Sequence, residues 1–376
     1  ISGTGAFTLG STGTVLTGHT DGLSTTGNLT VATATLNTGA SYIYNGGAAQ
    51  STGDALPSTV KNLMISNMNG VSLTSDLTVS TLLSLTMGKL SLGDRNLTIS
   101  SGGNISSAAD RYIVTNGTGR LTMTFADGST PSYGFGTSTS YAPVTCSITT
   151  SGNTVAGNVS STITHPATHN DRLVQLEWNF VETGGFTNVG NCIFAWNNEA
   201  AKGAAFDIAE PVVFASWNGT GYNLDDVTVN DLGGGVYGIT IGLPANIPNT
   251  PLVIGNKSAF LTDGPALTAD ASDNDVEHDI VITFTDDATW RGEVTGVSVN
   301  GTPLTAADYA LEAGTLTLKP SAGNVLLTAS GDKAVAIIAN NYNDATVTQT
   351  IKAGAVSLTN TTVGFAPSLA PSTTTI

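Results

Sequence analysis

At 376 residues the chain is long enough for two or three cores, and its formal net charge of −16 with only 12 Lys and Arg argues against nucleic acid as a partner. Phosphate binding needs a concentrated basic surface. Charged residues make up only 11%, but 40% hydrophobic residues in short alternating runs exclude disorder and point to an all-β fold. No apolar run approaches the roughly 18 residues that a membrane-spanning helix needs, and no signal-peptide pattern is present. The start at Ile1 rather than Met is read as processing or a fragment.

Residues 1–25 already have the pattern of a solenoid rung, with 5–9 and Val15-Leu16 separated by Gly and Thr and no amphipathic cap before them. The block 42–59 reads as a strand, an Asn-Gly-Gly turn and a loop at Pro57. From Leu63 the chain repeats one phrase: an aliphatic residue, a slim one, another aliphatic. The copies start at Leu63, Val71, Leu77, Leu83, Leu90 and Leu97, with turn residues between them. Three phrases sum to about 20 residues, one rung of a three-sided parallel β-helix. A second spacing, 34 residues, links Asn28, Asn62 and Asn96. Asn104–Ser106 and 112–114 are expected as final rungs.

Past about 120 the strands lengthen and aromatics enter at 173–178, 192–196, 212–217 and 236–241, the pattern of an antiparallel sandwich. A third unit has expected strands at 279–284, 297–301, 315–319, 324–329, 334–339 and 346–351, with Asn300-Gly301 as a tight turn. The expected order is therefore a β-solenoid over 1–120, a β-sandwich over 121–256, an Ig-like β-sandwich over 257–355, and an extended tail or linker over 356–376. Acids exceed bases by thirteen to five in 257–376, against five to four in 1–118.

The N-terminal wording from Gly53 to Ile99, followed by 112–119, resembles β-solenoid repeats of large secreted surface proteins of the Bacteroidota and related bacteria, and 133–144 resembles the sandwich that follows them there. Residues 282–290, 299–302 and 341–345 are similar to a small Ig-like domain of bacterial surface proteins, related to the haemoglobin-interacting modules of haem-uptake proteins. These resemblances imply an extracellular or cell-surface location. They identify modules and carry over no ligand.

Candidate chemistry is sparse. Four histidines are scattered without metal-binding spacing, and no nucleophile elbow or phosphate loop occurs, so no enzyme is expected. The run Asp270, Asp273, Asp275, Glu277 and Asp279 is a candidate Ca²⁺ ligand set or else a solvated acidic linker. Trp196 and Trp217 are candidate glycan-stacking residues, with core packing as the alternative. Cys146 and Cys192 are read either as a disulfide or as two buried thiols. The expected function is a non-enzymatic structural subunit that assembles with other copies of itself, head to tail, into a filament, sheath or surface layer. The alternative is the stalk or tip of an adhesin that binds glycan or cell-surface components.

Overall fold

A computed structural model describes residues 1–354 except 116, 125, 127, 149–153, 184–188 and 243–247; the expected tail 356–376 lies outside the described residues. The fold is almost entirely β and divides into two compact units, with the boundary between Leu261 and Thr262.

The first unit begins as a three-sided parallel solenoid. Face B stacks Thr14–Thr17, Ser41–Tyr44, 62–66, 82–87 and Asn104–Ser106. Face C stacks Gln50–Ser51, Val71–Ser72, Leu90–Ser91, Ile113–Val114 and Phe135–Gly136. Face A stacks 59–60, 77–79, Leu97–Ile99 and Leu121–Thr124. The six phrases fall on faces B, C, A, B, C and A in turn, so three phrases do make one rung. In each phrase the two aliphatic side chains point inward and none is more than 8% exposed, while the middle residue points out, as a period of two requires. Burying each such side chain contributes about 1.5–3 kcal/mol. Ladder partners are 19 residues apart at Val71 and Leu90 and 27 apart at Thr14 and Ser41. The 34-residue spacing has no counterpart, since Leu63 lies on face B and Leu97 on face A.

Turns are held by contacts between rungs. At the corner from face C to face A, Asp54 accepts from the Thr25 amide, Asp76 from the Asn96 amide and Asp94 from the Thr118 amide, each one rung away. Gly88 occupies the left-handed region (φ 72°), and a Cβ there would lie 1.9 Å from the Asn67 carbonyl of the rung below.

At Leu121–Thr124 the strand direction changes but the sheet does not end. This strand is parallel to Leu97–Ile99 on one side and antiparallel to Thr154–Ser160 on the other. The sheet continues through Glu177–Thr183, Leu252–Asn256, Val212–Trp217 and Tyr222–Val227. A second sheet runs Ser132–Tyr133, Val144–Ile148, Val189–Asn197, Val236–Gly242 and Val229–Gly233. Solenoid and sandwich therefore share a sheet and one continuous apolar core.

The second unit is a sandwich of two four-stranded antiparallel sheets. One runs Leu267–Thr268, Ile280–Phe284, Thr315–Leu318 and Tyr309–Glu312; the other runs Thr302–Pro303, Val294–Val299, Gly331–Ala339 and Ala345–Ile351. Its core includes Ile282, Trp290, Val299, Leu316 and Ile337. Asn300 and Gly301 take positive φ (51° and 75°), the turn their dipeptide signals. The stretch 324–329, expected as a strand, is instead the short helix Val325–Thr328: the Asn324 side chain accepts from the Leu326 amide and caps it.

Candidate functional site

The acidic residues of the second unit lie on the loop before Ile280–Phe284. Asp270 accepts from the Ser272 amide (2.9 Å) with one oxygen and from the Val281 amide (2.8 Å) with the other. Burial works to raise Asp270, but these amides prevail and hold it below the usual carboxylate range. Asp275 accepts from the Glu277 amide and pairs with His278 Nδ1 at 2.8 Å. The amide and then the imidazole lower Asp275, and that hydrogen bond raises His278. The loop is laced to the end of the chain's last described strand, with Lys352 N donating to Asn274 O and Val276 N to Lys352 O. Asp270, Asp273 and Asp279 line one shallow depression. Their neighbours on the loop serve local turns, and among the described residues no three His, Cys, Asp or Glu are placed to hold a metal ion. The arrangement lends no support to Ca²⁺ at this loop.

The two tryptophans part company. Trp196 is fully buried, packed against Phe206, and its Nε1 donates to Asn198, so it is a core residue and not a stacking platform. Trp217 is half-buried, and the His165 ring stacks on it at 4.1 Å and 5° between planes. Tyr222 meets Trp217 edge-on and donates from its hydroxyl to the His165 carbonyl. The chain thus supplies its own ring for the Trp217 face. The segment carrying His165 is fixed by the buried Glu177 carboxylate, which accepts from the Thr164 amide and hydroxyl.

Cys146 and Cys192 are joined by a disulfide between neighbouring antiparallel strands, where they are register partners. Of the two readings open from sequence, the paired one is the structure's.

A corner of the second unit escaped sequence reasoning. One carboxylate oxygen of Asp308 accepts from the Thr305 amide (2.7 Å) and hydroxyl (2.8 Å) and from Asn324 Nδ2 (3.0 Å). The Thr305 hydroxyl, then its amide, then Asn324 hold Asp308 below the usual range. This ties the Asn324-capped helix to the start of the edge strand Tyr309–Glu312. Val325, at the helix start, is 75% exposed, and Tyr309 and Leu311 are half-buried. The outer edge of Tyr309–Glu312 has no partner strand among the described residues, and an open edge together with an exposed aliphatic side chain on the helix tied to it suits a protein partner. The Asp and Asn that build it carry no spacing signal.

Residues 267–352 match the family model described as heme-binding protein Shr-like, Hb-interacting domain. The resemblance read at 282–290, 299–302 and 341–345 falls inside that match. No curated protein and no solved structure matches the chain significantly. Among the described residues, no helix is long and apolar enough to cross a membrane.

Proposed function

We propose that the chain is a non-catalytic cell-surface protein in which the solenoid and its sandwich are a structural scaffold and the second unit presents a protein-binding face. The match of 267–352 to a haemoglobin-interacting domain carries this reading. The partner of choice is a haemoglobin-like globular protein, met at the edge strand Tyr309–Glu312 and the exposed Val325. The test is biolayer interferometry of the full chain against haemoglobin, apo-haemoglobin and serum albumin. Saturable haemoglobin binding that weakens at least tenfold in Val325→Asp supports the reading; binding no stronger than to albumin overturns it.

Self-assembly of the chain is a second reading. The outer edge of Thr14–Thr17 has no partner strand among the described residues and Leu16 beside it is 60% exposed, which favours strand addition between copies. Ordered fibres or lattices by electron microscopy of the full chain are its expected sign.

A further inference from the structure

Face B ends one strand short. After Asn104–Ser106 the chain places another strand on face C, Phe135–Gly136, and another on face A, Leu121–Thr124. The next stretch due on face B does not go there. Ser129 and Pro131 are instead engaged by the second sheet, where Ile148 N donates to Ser129 O and Cys146 N to Pro131 O. Asn104–Ser106 therefore pairs with 82–84 on one side and with no strand among the described residues on the other.

The inward column of face B records the same vacancy. Val15, Tyr42, Leu63, Leu83 and Ile105 stand in register, one per rung. The first four are at most 8% exposed, whereas Ile105 is only half-buried. A cleft opens beside it, lined by Gly103, Ile105, Met123, Ser129 and Pro131. An open strand edge next to a half-covered aliphatic column is the geometry of an acceptor for an added strand.

The chain contains a fitting donor. Residues 356–359 read Val-Ser-Leu-Thr, identical to 71–74 on face C, where Val71 and Leu73 point inward and Ser72 and Thr74 outward. Residues 352–354 are tied to the acidic loop through Asn274 and Val276 or lie directly after, so only Ala355 separates Gly354 from Val356. The four residues from Gly354 to Leu358 reach about 14 Å when fully extended. Insertion into the chain's own cleft would need the end of the second unit within that distance of Ile105, whereas a second copy meets no such constraint.

We propose that the cleft beside Ile105 receives residues 356–360 of a second copy of this chain, added parallel like the other face B strands, with Leu358 continuing the column above Ile105 and Ser357 beside Asn104. The donor tail and acceptor cleft are different surfaces, so the contact propagates head to tail. This rests on the self-assembly reading and is independent of the haemoglobin-like partner.

The test uses the full chain with Asn104→Cys and Ser357→Cys together, oxidised and run without reductant beside each single variant. A ladder of covalent oligomers in the double variant, and a single cross-linked dimer when differently tagged single variants are mixed, are expected. An intramolecular cross-link in the double variant overturns the second-copy donor. No cross-link, from protein whose melting temperature equals that of the unmodified chain, overturns the cleft as acceptor. Fibres that form without this cross-link would leave self-assembly standing by another contact, which separates the two failures. Leu358→Asp is expected to abolish the oligomers while leaving the melting temperature unchanged.

Discussion

The solenoid and the second unit are both all-β, yet they are built on opposite plans. In the solenoid an inward side chain meets its register partner one rung away, as Leu63 meets Leu83, so a rung is stabilised by the rungs next to it. In the second unit Trp290, from a short helix capped by Asp287, packs edge-on against Phe284 and joins strands from two sheets into one core. The first plan distributes stability along the chain, and the second concentrates it. A substitution should therefore act locally in one unit and globally in the other.

The sharpest way to break that comparison is a paired truncation. Trp290→Ala, at a fully buried position, should cost about 3–5 kcal/mol and lower the melting of the whole second unit, leaving the first unit's transition in place. Leu83→Ala, equally buried, should cost about 2–5 kcal/mol, and hydrogen exchange should quicken chiefly in the rungs next to it. Calorimetry together with exchange mass spectrometry reads both. Uniform acceleration through the first unit after Leu83→Ala would end the local picture.

The disulfide sharpens the comparison within the first unit, because it lies in the sandwich half. Closing a loop of 46 residues, it should contribute about 4 kcal/mol in the chain-entropy account. Cys146→Ser with Cys192→Ser should lower the first unit's melting and leave the second unit's alone. A reducing agent should do the same.

The smallest expected effect is pH dependence: lowered carboxyls weaken both units at the acid end, and in the second unit a histidine adds a contribution of opposite sign. Hydrogen bonds from Thr25 and Thr118 lower the Asp54 and Asp94 carboxyls in the solenoid. Groups with depressed folded-state values add stability that is present above the usual carboxylate value, about 4, and lost as pH falls through their own lower values. In the second unit His278 is raised by Asp275. Its contribution is complete below about 6.5 and lost as pH rises through its raised value. Melting followed from pH 3 to 8 should show the solenoid weakening at the acid end and Asp54→Asn with Asp94→Asn flattening that loss. His278→Gln should remove a slight softening of the second unit toward alkaline pH.

The solenoid was legible in the sequence because its contacts repeat at a fixed short distance, so the phrase, its phase and the inward residues could be read without coordinates. The strands at 212–217 and 280–284 and the Asn300-Gly301 turn were legible for related reasons: alternation and turn chemistry are local. The module was legible only as a resemblance at 282–290, 299–302 and 341–345, which falls inside the family match. What required the fold was everything set by which strand lies next to which. Burial of Trp196, the His165 ring on Trp217 and the pairing of Cys146 with Cys192 depend on neighbours many residues away. The helix at 325–328 depends on a cap that Asp308 holds from another loop, and the spacing of acids at 270–279 said nothing of where their oxygens would point. The missing strand of face B is the clearest case. Asn104-Ile105-Ser106 looks like any other rung, and with 129–131 engaged by the second sheet its outer edge has no partner strand among the described residues.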